Sequence, residues 1–132
     1  MNVVVQAKRD PRVLTTMIKA REDLTSLQEL ALSHSDFFNY INVSAMMVKV
    51  AKAYRENNAE DAQHLMLQLS AIALKRVDDM EAQQIANILW AVAKVGGITD
   101  ASFISNWLLV ALVKLPEFNA QNLSNILLAA AT

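Results

Sequence analysis

The side chains of this chain that could do chemistry are mostly amides, and two short segments carry them at matching positions. The first segment begins at Ala82 and the second at Ala120, and seven of twelve aligned residues are identical at an offset of 38. The amides of the two segments, in chain order, are Gln83, Gln84, Asn87, Gln121, Asn122 and Asn125. An amide donates and accepts hydrogen bonds, so this set suits polar recognition better than bond breaking.

The residue patterns of known catalytic sites are missing from the sequence. It has no cysteine, no glycine-rich phosphate loop, no nucleophile elbow and no paired general acid and base. His34 and His64 have no second ligand at helical spacing, and the acidic run at 78–81 is explained by a solvated turn. We therefore predict that the chain is not an enzyme and has no catalytic residue, no metal and no cofactor.

Apolar residues at helical spacing run along the chain and predict seven helices. The predicted helices are Pro11–Ala20, Ser26–Ser33, Val43–Arg55, Glu60–Lys75, Glu81–Val95, Asp100–Lys114 and Asn119 to the end. Asp10 and Pro11 mark the start of the first helix, and Asn42 or Ser44 is expected to cap the third. No strand pattern of useful length is visible, and only two Gly and two Pro argue against an all-β fold.

Internal repetition predicts that these helices form stacked antiparallel hairpins. Val43–Lys52 aligns with Ile85–Lys94 at an offset of 42, and Leu69–Lys75 aligns with Leu108–Lys114 at 39, which indicates a unit of about 38 residues. One hairpin cannot bury its apolar faces alone, so we predict an all-α fold, an α-solenoid of about seven helices. The single domain 1–132 divides into opening helices over 1–41, repeats over 42–80 and 81–118, and the first helix of an incomplete repeat over 119–132.

The charge distribution is uneven, although the net charge is only −1. Residues 1–21 carry five basic side chains and one acidic one, whereas the remainder carries seven basic and twelve acidic ones. Nucleic-acid-binding domains are usually more basic than this. No segment is long and apolar enough to predict a membrane span, and the N-terminus has neither a signal-peptide core nor the composition of an organelle transit peptide.

The segments AQQIANILWAVAKVGG (82–97) and NAQNLSNILLAAA (119–131) resemble the signature helix of octotricopeptide repeats, which reads roughly Pro-Gln-Asp-Leu-Ala-Asn-Leu-Leu-Trp-Ala-Leu-Ala. The 38-residue period also resembles theirs. The stretch from Ile18 to Tyr54 is similar to the segment that commonly opens such arrays, including arrays in proteins with a RAP domain. This resemblance implies an RNA-binding solenoid of organelle gene expression, acting on RNA stability, processing or translation in a mitochondrion or chloroplast.

On this resemblance, the expected partner is single-stranded or ribosomal RNA. The amides of the two matching segments would read base edges from one helix of each hairpin. The side chains expected to contact phosphates are Lys8, Arg9, Arg12, Lys49, Lys52, Arg55 and Lys94. A structural alternative is open for the amides, because Asn87 and Asn125 could cap or bridge turns while the others lie on a solvated surface. Trp90 and Trp107 are expected to pack in the core and not to stack on bases.

A second interpretation is a scaffold subunit of a large ribonucleoprotein, such as an organellar ribosome, that contacts rRNA and proteins. The acidic balance after residue 21 favours it, as does the apolar end of the chain, which lacks the charged face of a capping repeat. On this interpretation Lys8–Arg21 would be the RNA-facing anchor. We expect the array to continue past Thr132, or its apolar edge to pack on another molecule. A plain protein-binding helical repeat is a third interpretation.

Overall fold

The computed structural model describes residues 10–95 together with Trp107, Leu109 and Val113. Within these residues the chain is helical and has no strand, which confirms the all-α prediction. The α-helices of the described part are α1 Pro11–Lys19, α2 Leu24–His34, α3 Tyr40–Ala53, α4 Ala59–Lys75 and α5 Ala82–Val95. Three short 3-10 helices at Ser35–Phe37, Glu56–Asn58 and Val77–Asp79 precede α3, α4 and α5 respectively. The helix predicted from Asn119 onward, and most of the one predicted over Asp100–Lys114, lie outside the described residues.

The starts of α1, α2 and α3 have side-chain caps, and one predicted cap was wrong. In α1 the Asp10 side chain accepts a hydrogen bond from the backbone N–H of Arg12, as expected for a cap. Helix α3 begins at Tyr40, three residues earlier than predicted, because Asn39 is its cap. Asn39 Oδ1 accepts from the N–H of Asn42 at 2.9 Å, and Asn42 Oδ1 accepts from the N–H of Asn39 at 3.0 Å. Asn42 therefore completes the capping box from inside the helix.

Helix α3 lies at the centre of the fold and contacts α1, α2, α4 and α5. Seven of its fourteen residues are buried. The buried set includes Val43, Met46, Met47 and Val50, whose spacing places them along adjacent turns. Burial of each such side chain stabilises the fold by about 1.5–3 kcal/mol.

Helices α1 and α3 run parallel, as hydrogen bonds at both ends demonstrate. Near their starts, Asn42 Nδ2 donates to the carbonyl of Pro11 and to Thr15 Oγ1, both at 2.9 Å. Near their ends, Lys49 Nζ donates to the carbonyl of Lys19 at 3.3 Å. The N-terminal ends of α1 and α3 therefore lie side by side, and so do their C-terminal ends.

Helices α3 and α5 also run parallel, because both end beside the start of α4. Asn58, which directly precedes α4, donates from Nδ2 to the carbonyl of Ala53 at the end of α3, at 3.0 Å. Gln63, in the first turns of α4, donates from Nε2 to the carbonyl of Val95 at the end of α5, at 3.4 Å. The C-terminal ends of α1, α3 and α5 thus lie along one edge of the fold.

The elements around α3 and α5 repeat at 42 residues. Both helices have fourteen residues, and they start 42 residues apart, at Tyr40 and Ala82. The 3-10 helices before them are also 42 residues apart, and each is followed by a buried side chain, Phe38 in one case and Met80 in the other. The second copy of the 38-residue match, from Ala120 onward, lies outside the described residues.

The same 42-residue offset extends to the described residues beyond α5. Trp107 lies 42 residues after Leu65, and both are buried. Leu109 and Val113 lie 42 residues after Leu67 and Ala71, and all four are exposed. The core position of Trp107 agrees with the prediction, and Trp90 is partly buried against the same core.

Replacement of Asn42 tests whether α1 and α3 are held together by its amide. Asn42→Ala should lower the free energy of unfolding by about 2–3 kcal/mol, because it removes two inter-helix donors and the inner half of the capping box. Urea unfolding followed by circular dichroism measures the change. Asn57→Ala, at an exposed 3-10 position, is the control and should cost under about 0.5 kcal/mol. If the two variants lose the same free energy of unfolding, the amide of Asn42 does not hold α1 and α3 together.

The caps also predict a dependence of stability on pH. Backbone N–H groups that donate to the side chains of Asp10 and Asp23 lower the pKa of each carboxyl below 3.8. A lowered folded-state pKa gives stability that is present above the ordinary value and is lost as the pH falls through the folded value. An Asp10→Asn/Asp23→Asn variant keeps acceptor oxygens but loses this titration.

Melting temperatures at about pH 6 and about pH 2 test that prediction. The parent should lose more of its melting temperature between the two pH values than the double Asn variant. Glu29→Gln, which removes a carboxyl from the exposed middle of α2, should behave like the parent. A double Asn variant that falls as steeply as the parent would show that the two caps do not carry the dependence.

Candidate nucleic-acid interface

The C-terminal edge, where α1, α3 and α5 end, brings together most of the described cations that were predicted to contact phosphates. Its basic residues are Lys19, Arg21, Lys49, Lys52, Arg55 and Lys94. Lys19, Lys52 and Lys94 lie here because each parallel helix has a basic residue in its last turn, where a positive charge complements the helix dipole. Acidic residues share the edge, namely Glu22, Asp23, Glu56, Glu60 and Asp61. The edge is therefore mixed in charge and not uniformly basic.

Lys49 is engaged within the fold. Its Nζ lies 3.3 Å from the carbonyl oxygen of Lys19 and 3.5 Å from Oε1 of Glu22, and its side chain is only 19% exposed. The ammonium group therefore satisfies the end of α1 and pairs with a neighbouring carboxylate. A phosphate at this position would have to displace both partners.

Arg55 is also engaged, at the end of α3. Its Nη1 donates to the carbonyl of Lys52 at 2.9 Å and to that of Tyr54 at 2.6 Å. Its backbone N–H donates to Asn58 Oδ1 at 2.7 Å. These bonds close the turn between α3 and α4 by satisfying carbonyls that a helix end leaves free. One guanidinium nitrogen is thus used by the turn, although the side chain lies at the surface.

Lys52 and Lys94 are exposed and occupy the same position in two packed helices. They lie 42 residues apart, each in the last turn of its helix. Neighbouring packed helices have axes about 8–10 Å apart, so two such lysines can meet successive groups of one extended ligand. Among the described cations these two match most closely the repeated phosphate contacts predicted from the sequence.

The amides of α5 divide into different structural roles. Gln84 Oε1 accepts a hydrogen bond from the N–H of Glu81 at 2.9 Å, so it serves the start of α5. Asn42, 42 residues earlier, does the same for Asn39 at the start of α3. Gln83 is exposed, and Asn87 is partly buried in the middle of the helix.

Comparison with α3 shows that the amides of α5 are not repeated as exposed amides in α3. At an offset of 42 the counterparts of Gln83 and Asn87 are Ile41 and Ala45. The counterpart of Gln84 is Asn42, which is fully buried. Within the described residues, Gln83 is the one exposed amide of the predicted base-reading set. Sequence reasoning missed the capping use of Gln84, although its position three residues after a predicted helix start was a signal for it.

The remaining predicted site residues lie near or beyond the ends of the described part. Arg12 is exposed, with Nη2 3.4 Å from Asp10 Oδ2. It belongs to the start of α1, at the opposite edge from Lys52. The predicted site residues that lie outside the described residues are Lys8, Arg9, Gln121, Asn122 and Asn125.

Metal, membrane and small-ligand sites can be assessed for the described part of the chain. No group of three His, Asp or Glu residues there is arranged to hold a metal ion. No helix found among those residues is long and apolar enough to cross a membrane. A groove of about 410 Å³ lies between α2 and α4 and is lined largely by Ala31, Leu32, Leu65 and Leu69, with amides at its rim.

Comparison with known proteins adds no family assignment. No protein-family model matches the chain. No solved structure matches it significantly.

The two neighbouring glutamines of α5 give a test of their different roles. Gln84→Ala should lower the free energy of unfolding by about 0.5–1 kcal/mol, because the N–H of Glu81 loses its acceptor. Gln83→Ala should leave stability within about 0.5 kcal/mol of the parent, because the residue is exposed. Chemical denaturation of the two variants side by side measures both values. If Gln84→Ala has the same free energy of unfolding as the parent, Gln84 does not stabilise the start of α5.

Proposed function

We propose that this chain is part of an RNA-binding α-solenoid that acts in organelle gene expression, in a mitochondrion or chloroplast. The observation that carries the proposal is the pair Lys52 and Lys94, exposed at equivalent positions of parallel, packed helices. A row of such positions presents one cation per repeat to a phosphate backbone. The organelle and the role in RNA stability, processing or translation come from the resemblance of the repeated helix.

The solenoid part of the proposal is supported by how the helices pack. Helix α3 packs against both α1 and α5, and α4 connects the end of α3 to the start of α5. First helices of successive hairpins thus lie side by side. Such packing supports a solenoid, because it would let each repeat bury its neighbour's apolar face.

The geometry favours phosphate contact over base reading as the main source of affinity. Only Gln83 among the described base-reading candidates is exposed, and its counterpart in α3 is the apolar Ile41. An isoleucine has no group that can distinguish base edges by hydrogen bonds. Base preference in this proposal therefore rests on Gln83, on the partly buried Asn87, and on Gln121, Asn122 and Asn125.

A scaffold subunit within a larger ribonucleoprotein is the second candidate function. The observation that favours it is the mixed charge of the C-terminal edge, where Lys49 and Arg55 are already engaged. Because few cations are free at this edge, it can make only a small number of phosphate contacts, and neighbouring proteins would have to supply the rest of the affinity for the assembly. Such a subunit would contact both rRNA and proteins.

Removal of the two equivalent lysines tests the RNA proposal. A Lys52→Ala/Lys94→Ala variant should bind a labelled single-stranded RNA about tenfold more weakly or worse at low salt. The slope of log affinity against log salt should flatten by about 0.7 for each phosphate that the variant no longer neutralises. Fluorescence anisotropy over a salt series measures both. Lys75→Ala, an exposed lysine at the end of α4 and so at the opposite edge, is the matched control.

The result also separates the two candidate functions. If the parent chain binds no single-stranded RNA at low salt, the independent RNA binder is wrong and the scaffold subunit is favoured. If Lys75→Ala weakens binding as much as the double variant, the attraction is general and the C-terminal edge is not the site.

A further inference from the structure

The exposed side of α4 carries acidic and basic residues only at its two ends. Glu60 and Asp61 lie in the first turn, and Lys75 lies in the last turn, followed by Arg76. All four are exposed. Between them, Ala62–Leu74 contains no Asp, Glu, Lys or Arg. The helix dipole accounts for the sign of the charges at each end, but it does not account for the uncharged surface between them.

That middle surface is partly apolar. Leu67 is 52% exposed, and His64 and Ala71 are exposed beside it. Glu60, His64, Leu67, Ala71 and Lys75 follow one another at spacings of four, three, four and four residues, so they form one stripe along the helix. Stripes of this spacing are the surfaces by which helices pair side by side.

Further exposed apolar side chains flank α4, on one side by observation and on the other by the repeat. On one side, Leu32 of α2 is 90% exposed at the rim of the groove between α2 and α4. Leu109 is 61% and Val113 is 80% exposed, and the 42-residue offset from Leu67 and Ala71 predicts that they lie on the other side of α4. We call these residues and the α4 stripe the α4 face. Contiguous exposed apolar surface of this kind marks an interaction site.

We propose that the α4 face pairs with the same face of a second copy of this chain, with the two α4 helices antiparallel. An antiparallel pair places Glu60 and Asp61 of each copy opposite Lys75 and Arg76 of the other. A two-fold axis makes this match twice, once at each end. Parallel pairing would instead place like charges together. Leu67 lies near the midpoint of Glu60 and Lys75, so it falls close to the axis.

The area of the α4 face determines which residues a stable dimer would have to bury. Glu60 and Lys75 are separated by about 22 Å at 1.5 Å per residue. A stable interface buries about 800 Å² per partner, more than one helix stripe supplies. The neighbouring residues Leu32, Leu109 and Val113 broaden the contact on either side of α4. RNA does not suit this face, because its middle offers no cation to a phosphate.

Charge reversal at each end of α4 tests the pairing in the full 132-residue chain. One variant, Glu60→Lys/Asp61→Lys, makes both ends of the helix basic, and another, Lys75→Glu/Arg76→Glu, makes both ends acidic. Each should be monomeric where the parent is dimeric, with a dissociation constant at least about tenfold higher. An equimolar mixture of the two should form a heterodimer, because each end then meets its opposite charge.

Sedimentation velocity and light scattering at about 10–100 μM protein measure the association state, where micromolar pairs are visible. Leu67→Asp should also give a monomer, and circular dichroism should show that its fold is intact, since the side chain is exposed. The control is Lys52→Glu/Glu81→Lys, which reverses exposed charges outside the α4 face and should remain dimeric.

Three outcomes would overturn the proposal. The first is a parent chain that stays monomeric at the highest concentration, which would assign the α4 face to a different partner. The second is a dimer that both charge-reversed variants retain. The third is a mixture of the two variants that fails to associate. None of these outcomes bears on the RNA proposal, because Lys52 and Lys94 lie outside the α4 face.

Discussion

Helix α3 contacts four other helices, and the position of each depends on it. Its apolar residues supply much of the core, but apolar contacts alone would let neighbouring helices slide. The buried amide of Asn42 prevents this for α1, because its two donors need the carbonyl of Pro11 and the hydroxyl of Thr15 at defined distances. Hydrophobic burial holds the helices together, and this polar contact fixes their register.

The parallel arrangement that follows from α3 determines where charge collects. Helices that run parallel and end in basic residues must bring those residues to one edge, which is how Lys19, Lys52 and Lys94 become neighbours. The starts of the connecting helices lie at the same edge, where Asp23 caps α2 and where α4 carries Glu60 and Asp61 in its first turn. The mixed character of the edge is therefore a consequence of hairpin packing, and it limits how strongly the fold can attract a polyanion.

Much of the fold could be predicted from the sequence, because helical spacing of apolar residues is a local signal. The predicted start of α4 is within one residue of its observed start at Ala59. The start of α3 was missed because Asn39 and Asn42 are both plausible caps, and only the reciprocal bond between them shows which one is the cap. The candidate site was harder. Whether Lys49, Arg55 or Gln84 is free for a ligand depends on carbonyls and N–H groups that only the folded chain brings near.

The 3-10 helices before α3 and α5 have a consequence for how such a protein can change length. Each junction contains a 3-10 turn and a buried side chain, Phe38 or Met80. Each also contains a backbone N–H that donates to the side-chain oxygen of the third residue of the following helix. All three parts lie within about eight residues of one another. A duplication or deletion whose ends fall in these junctions would move a hairpin together with its buried side chain and its capping hydrogen bond. In the proposed solenoid, these junctions are natural boundaries for growth by recombination.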